Sequence, residues 1–338
     1  MIRFSENHSL KAHNTFGIDA KAKYYFEFTE PEDLQVFLNS NKSWKEEKLI
    51  VLGEGSNMLF LSDFDGLVIH PNVPGMNSVW EDRNHEWFEA GAGEVWDEFV
   101  EFAVNRGLGG AENLSLIPGK VGAAPVQNIG AYGQEVCRLV EKVKGFDLEK
   151  GCAAEFTAAE CQFQYRNSVF KNELKNRFII TSVIFRLDKF PEFNLGYGQL
   201  EERVNEKGEV NLHNVREAVI EIRSSKLPDV KEFGNAGSFF KNPVVEVALA
   251  EQIKSKYPEI PVYSGGEGKM KLAAGWLIEQ AGWKGKRMGE AGVHEQQALV
   301  LVNYGNATGK DIYELSEAVC KSVEEKFGVT LEREVNCI

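Results

Sequence analysis

Residues 112–133 read ENLSLIPGKVGAAPVQNIGAYG. Neither the 3.6-residue period of a helix nor the two-residue alternation of a strand fits them. Gly119, Gly122, Gly130 and Gly133 punctuate the run together with Pro118 and Pro125, and it carries almost no charge. A loop of this length facing water would be more polar. Long structureless segments in compact domains are mostly functional, or packed on themselves. Glycines and small alanines let a backbone wrap closely against something flat or highly phosphorylated. The residues alone leave two readings open, a buried loop packed on itself and a ligand-lining loop. Either way, the fold must carry a long, apolar, irregular segment between regular elements.

A second glycine-rich turn lies upstream, in LIVLGEGSNML (49–59). A strand-like run enters Gly53, Gly55, Ser56 and Asn57, and successive backbone N–H groups in such a turn form an anion nest. The likeness to the G-x-G-x-x-G dinucleotide fingerprint is superficial, because Met58 stands where the third glycine belongs. A purely structural turn is an equal reading. The Gly-Lys pairs at 119–120, 268–269, 285–286 and 309–310 lack the following Ser or Thr of a P-loop. Two glycine-rich segments in one N-terminal region favour a dinucleotide-type cofactor.

The elements around them read as mixed α/β or α+β. A strand at 24–28, a helix opened by a Thr29/Glu32 capping box and a strand at 48–52 suggest a small βαβ unit. Strands follow at 66–70 and 86–93, a helix at 95–107, and strands at 140–147, 154–160 and 177–187. The polar segment 189–211 reads as a domain boundary. Beyond it, Val215, Val219 and Ile222 share a helical face, as do Ala273, Leu277 and Ala281. Ile312, Leu315, Val319 and Val323 fall in register over 310–326. VTLEREV (329–335) alternates like a strand, with Glu332 and Glu334 on one face and Arg333 on the other.

With 338 residues the chain is long enough for two or three domains. A net charge of −13 argues against general nucleic-acid binding, though not against a small anion held by local cations. Five scattered cysteines without C-x-x-C suit a reducing compartment. The first residues lack a signal peptide's apolar run, and no stretch reaches the roughly 18 apolar residues of a membrane span. A soluble cytoplasmic protein without membrane or nucleic-acid partners is expected. The six histidines show no metal-ligand spacing, so no catalytic metal is expected.

Seven blocks occur in one order: GEGSN, IPGKVGAAPVQNIGAYG, YRNSVFK, KLPD, AGSFFKNP, KLAAGWLIEQAGWKG and LEREV. Together, over about residues 13–338, they resemble the UDP-N-acetylenolpyruvoylglucosamine reductase (UDP-N-acetylmuramate dehydrogenase) family. The GYG at 196–198 resembles the mark of its type I subfamily. The resemblance implies an α+β protein: a vanillyl-alcohol-oxidase-type FAD-binding fold of two α/β subdomains (1–70 and 71–205) and a C-terminal α+β substrate domain (206–338). The last strand, 329–335, would return to the active site. It also implies an NADPH-dependent flavoenzyme of peptidoglycan precursor synthesis, reducing UDP-N-acetylglucosamine enolpyruvate to UDP-N-acetylmuramate. FAD is expected to be non-covalent and the protein a monomer.

The same resemblance assigns residues. Gly53, Glu54, Gly55, Ser56, Asn57, Met58 and Leu59 would cradle the FAD pyrophosphate. Ser115, Ile117, Pro118, Gly119, Gly122, Ala123, Gln127, Asn128, Gly130, Ala131, Tyr132 and Arg166 would line the flavin and its phosphates. Hydride would come from flavin N5 and the proton from Ser238. Arg166 would also face the charge that develops on the substrate carboxylate, and Glu334 would be a second donor to that carboxylate. Taken alone, the residues favour the ordinary readings: Ser238 as a turn hydroxyl, Arg166 as a solvated arginine and Glu334 as a surface glutamate. Lys241 would ease loss of the Ser238 proton. Tyr197, Lys226, Asn242 and Gln297, with Arg223 a weaker match, would hold the UDP moiety, Tyr197 folding over it. Arg333 stands where relatives often have proline, facing away from Glu334 on a regular strand.

Overall fold

The computed structural model describes residues 2–338 except 41–43 and 45. The chain divides into two units, each assembled from three segments. The first comprises Met1–His8, Ala22–Glu54 and Asp65–Ser225; the second comprises Ser9–Lys21, Gly55–Phe64 and Lys226–Ile338.

In the first unit a four-stranded sheet runs in the order Ile2–Ser9, Lys21–Phe28, Phe64–Pro71, Leu49–Val51. The short strand Leu49–Val51 pairs parallel with Leu67–Ile69, so Phe64–Pro71 lies between the two strands of the expected βαβ unit. The helix between them spans Pro31–Ser40 and buries Leu34 and Phe37. Its start at Pro31 puts proline at the first helical position, where a missing N–H costs nothing. Phe37 stacks on Phe26 with ring centroids 3.7 Å apart.

The second sheet of this unit is antiparallel throughout, in the order Cys152–Thr157, Val140–Asp147, Phe178–Asp188, His85–Gly91, Met76–Glu81. Phe178–Asp188 lies at its centre, which explains a run of buried residues without alternation. The helix Trp96–Asn105 buries Trp96, Phe99, Val100, Ala103 and Val104 in the same core. Residues 112–133 are irregular, as expected, with single turns at Glu112–Leu114 and Val121–Ala123.

The expected boundary at 189–211 is not one. Leu200–Lys207 forms a helix whose Leu200 and Val204 are fully buried against Val215, Ala218, Val219 and Ile222 of the helix Leu212–Lys226. Residues 206–225 therefore belong to the first unit, and the chain passes to the second at Lys226.

The second unit has an antiparallel sheet in the order Gly234–Ser238, Val300–Asn303, Ala291–Val293, Arg287–Met288. A three-stranded sheet, Val244–Glu246, Lys269–Leu272, Val262–Ser264, stands apart from it. The helix Gly309–Phe327 packs on the first of these with Ile312, Leu315, Val319 and Val323 all fully buried. A Thr308–Asp311 capping box opens it and Gly328 closes it in the left-handed conformation.

Residues 329–335 do not form the regular strand expected. Arg333 makes one antiparallel bridge with Phe240, and regular pairing begins only at Asn336–Cys337, parallel to Met58–Leu59. Alternation ends at Glu332, because residues 333 and 334 are both half-buried. Glu332 and Glu334 thus differ in environment: Glu332 is exposed and pairs with Lys241, while Glu334 is half-buried. Arg333 lies over the Tyr313 ring and bonds Ser316 and Glu317. Among the described residues no helix is long and apolar enough to cross a membrane.

Candidate active site

In the first unit the glycine-rich run is braced at its start. The Asp97 carboxylate accepts the Leu116 amide at 2.5 Å and takes both guanidinium nitrogens of Arg216, at 2.6 and 3.0 Å. Leu116 sits at φ +58, a conformation unfavourable for leucine. Asn128, Tyr132 and Arg166 also have positive φ. Such strain persists only where surrounding contacts over-determine it, and it gathers at ligand-binding segments.

Burial alone would raise the Asp97 carboxyl, but the Arg216 and Leu116 bonds outweigh it and hold the pKa below the ordinary value. A depressed carboxylate contributes stability in full above its unfolded pKa of about 3.9, and that contribution is lost as pH falls through the folded value. Asp97→Asn is therefore expected to lower stability at neutral pH by about 2 kcal/mol or more. It should also flatten the acid-side fall in melting temperature. Melting curves from about pH 7 down to pH 3 check both; an unchanged acid limb would remove the pairing from the account.

The backbone donors of this region decide whether a phosphorylated ligand fits. Among the described residues the amides of Gly53, Glu54, Ile117 and Gly119 donate to no acceptor, and Gly119 is buried. Buried amides are nearly always paired, so orphaned ones in two glycine turns suit phosphate oxygens. Other expected contacts are occupied within the protein. The Ser115 hydroxyl donates to Glu112 O at 2.6 Å. Fully buried Asn128 bonds Glu135, Gln164 O and the Cys137 amide. The amides of Gly122 and Ala123 bond Ala92 O and Lys120 O, and a Cβ on Gly122 would come within 2.6 Å of Ala92 Cβ. Ile117, Pro118, Gln127, Ala131 and Tyr132 reach the surface to differing degrees. Arg166 is not solvated: its guanidinium donates to Gly130 O at 2.7 Å and Asn128 O at 3.5 Å. The structure thus brings Arg166 onto the glycine-rich run.

Tyr197 is joined to the same run. Its ring meets Tyr132 edge-on at 6.0 Å. Buried Asn113 donates to Tyr132 O at 2.9 Å and to Asn194 O at 2.8 Å, and Asn194 donates back to Gly133 O. Arg223, on the helix Leu212–Lys226, has a buried Nε without a partner. Burial lowers its pKa, opposed by Tyr132 and Asp97 and assisted by Arg166. Burial likewise pushes the Tyr132 phenol up, opposed by Arg223. Lys226, at the helix end, is exposed.

In the second unit Ser238 ends the strand Gly234–Ser238 beyond a break in register between Asn235 and Ser238. Gly237 takes φ +65 there, which the lack of a Cβ permits. Buried Asn235 fixes the bulge by accepting the Gly237 amide at 3.0 Å and donating to Pro228 O and Phe233 O. Fully buried Phe239 follows, its amide on Leu299 O, so the half-buried Ser238 is aimed by rigid neighbours. The Glu334 amide donates to Phe239 O at 2.8 Å, one residue from Ser238. Asn57 Nδ2 donates to Glu334 O at 3.2 Å and Asn57 O accepts the Asn336 amide. Ser238, Glu334 and Asn57 thus converge. Gly55 is irreplaceable for another reason: a Cβ there would strike His13 O and come within 2.8 Å of Asn14 Cα. Ser56 and Met58 are half-buried and Leu59 is fully buried.

Lys241 departs from expectation, because its ammonium pairs with Glu332. Asn242 Oδ1 accepts the Ala274 amide at 2.9 Å, capping the helix Ala274–Gln280. Gln297 lies beside the same helix end, where a Cβ on Gly275 would be 3.3 Å from its Oε1. Asp97, Arg216, Asn113 and Asn235 escaped the sequence reading. Of these, only Asn235 carried a local signal, an Asn two residues before a glycine.

Residues 22–151 match the family of FAD binding domains, and the unpaired amides lie within this span. The chain is accordingly an FAD-dependent oxidoreductase, with a vanillyl-alcohol-oxidase-type cofactor fold and a separate C-terminal α+β domain. Residues 229–338 match the UDP-N-acetylenolpyruvoylglucosamine reductase C-terminal domain. Curated proteins with that reductase name are 50% identical in Flavobacterium johnsoniae, over all of both chains, and 46% identical in Amoebophilus asiaticus, over 98% of each. A crystal structure of the Thermus caldophilus reductase is 25% identical, covers 100% of this chain and 98% of its own, and superposes with a TM-score of 0.68. The chain belongs to the UDP-N-acetylenolpyruvoylglucosamine reductase family.

Proposed function

We propose that the protein reduces UDP-N-acetylglucosamine enolpyruvate to UDP-N-acetylmuramate with electrons from NADPH, a step in making peptidoglycan precursors. The observation that carries this reading is the seating of Ser238, on a glycine bulge with the Glu334 backbone bonded to the adjoining residue. FAD, when bound, would supply the two-electron chemistry, as hydride from flavin N5. Gly53, Glu54, Ile117 and Gly119 would hold its phosphates.

The protein's own residues do the rest. The planar fork of Arg166 matches the substrate carboxylate and holds the charge that grows there as the enolate forms. Glu334, acting as a protonated carboxyl, donates a second hydrogen bond to that carboxylate. Ser238 then gives its hydroxyl proton to the adjacent carbon. A serine is a weak acid, but an enolate carbon is basic enough to take its proton at about 3 Å. Nothing has to remove that proton beforehand, so no histidine is needed. Tyr197 closes over the nucleotide, and Arg223, Lys226, Asn242 and Gln297 bind its UDP moiety. For Asn242 and Gln297 this role is carried by side chains that already order the end of the helix Ala274–Gln280.

The purified protein is expected to be yellow and to release FAD, uncovalently bound, when denatured. Beyond one equivalent per bound flavin, it should oxidise NADPH only while the enolpyruvyl nucleotide is supplied. Absorbance spectra and a coupled NADPH assay check this, and nucleotide-independent oxidation of NADPH at the same rate would refute it.

A further inference from the structure

We propose that Lys120 is a further cofactor-binding residue, its ammonium serving as a counter-charge for the diphosphate of FAD. The inference rests on the cofactor reading above and adds a residue which that reading does not use.

Lys120 follows the turn of IPGK, in a Gly-Lys pair that is not a P-loop. Its stem lies along the other glycine turn: a Cβ on Gly53 would stand 3.7 Å from Lys120 Cβ and 3.8 Å from Cγ. Two turns far apart in sequence therefore meet at this side chain. Among the described residues, the amides of Gly53 and Glu54 on one turn and of Gly119 and Lys120 on the other have no acceptor. Four donors without acceptors, one of them in a buried residue, share a single deficit, which is negative charge.

Lys120 shares it. Among the described residues its ammonium enters no ion pair and no hydrogen bond, in a protein of net charge −13. Two acidic residues flank these turns, Glu94, whose carbonyl accepts the Val121 amide, and Glu54, next to Gly53, and neither pairs with Lys120. The Glu94 carboxylate accepts the Gly75 amide, and Glu54 is exposed without an ion pair among the described residues. Buried His70, on the adjoining strand, bonds Leu52 O at 2.7 Å. Burial lowers its pKa, opposed by the Leu52 bond and by Glu27, and the Lys120 charge lowers it further. An uncompensated cation whose stem lies against one glycine turn while its backbone belongs to the other, both with orphaned amides, suits recognition of a diphosphate.

NADPH and the UDP-sugar also carry diphosphates, so the test separates the three. FAD release from the holoenzyme is followed by flavin fluorescence on dilution, at low and high salt, for the parent protein, Lys120→Met and Lys120→Arg. Lys120→Met is expected to raise the FAD Kd about tenfold at low salt, with the gap closing at high salt as the charge is screened. Lys120→Arg should stay within about threefold of the parent. With FAD saturating, the KM values for NADPH and for the nucleotide should not move. An FAD Kd within about twofold in Lys120→Met, or a loss that persists in high salt and is not recovered by Lys120→Arg, would overturn the proposal. A raised KM for NADPH or the nucleotide with FAD affinity intact would assign the lysine to that ligand instead and overturn it too. A parent protein that binds no FAD would sink the cofactor reading itself.

Discussion

Ser238→Ala is expected to leave the bleaching of the flavin by NADPH within about twofold of the parent rate, while the return of colour on adding the enolpyruvyl nucleotide slows by ~10²–10⁴-fold, the range for a lost general acid. The asymmetry follows from the proposed role. In that role only the second half-reaction would end in protonation of carbon, and only there would the hydroxyl act. The substitution should not disturb the backbone, because the bulge is held by Asn235 and Gly237 and by the buried Phe239, none of which needs the hydroxyl. Rapid-mixing absorbance of each half-reaction checks this. An equal loss in both would make Ser238 a structural or binding residue.

Glu334 gives the second large effect, and here the comparison of two substitutions is informative. Glu334→Ala would remove the proposed donor to the substrate carboxylate and is expected to cost ~10²–10³-fold in the rate of colour return, as for other single donors to a developing anion. Glu334→Gln keeps an N–H donor and should retain more activity, by about tenfold or more. The backbone contacts that place Glu334, its amide on Phe239 O and its carbonyl on Asn57, do not involve the side chain. Both variants should therefore fold alike. Identical rates in the two would remove the protonated-donor role.

How much of this was legible in the sequence varies with how local the cause is. The helix Gly309–Phe327 was plain, because four apolar residues fall in register and all four are fully buried. Residues 112–133 were plain as an irregular segment because no period fits them. The helix Leu200–Lys207 was hidden: it is short, strongly polar and buries only two of its own side chains. The alternation of 329–335 was genuine up to Glu332 but did not continue. The chain leaves Phe240 and Lys241 after Arg333 and turns to pair with Met58–Leu59, a partner far away in sequence.

The candidate site shows the same division. Ser238, Arg166 and Glu334 were named from motif blocks; their own local chemistry left each an ordinary surface or turn residue. What seats them is non-local and carried little signal. Asp97 and Arg216 are 119 positions apart, and nothing in either neighbourhood marks them as partners. Gly55 looked like a phosphate glycine, yet the second unit also needs it glycine because the backbone of His13 and Asn14 passes against it. Lys241 looked like help for Ser238 until its pairing with Glu332 was visible. The general lesson is physical: periodicity reports burial along one element, while the contacts that position chemistry join segments brought together only by the fold.

The most direct test of the central claim is anaerobic stopped-flow absorbance of the bound flavin, mixed first with NADPH and then with UDP-N-acetylglucosamine enolpyruvate. The account predicts loss of the oxidised FAD band in the first mix and its full return in the second, with UDP-N-acetylmuramate formed in equal amount. Flavin that stays reduced after the nucleotide is added, and regains its colour only when oxygen is admitted, would contradict it.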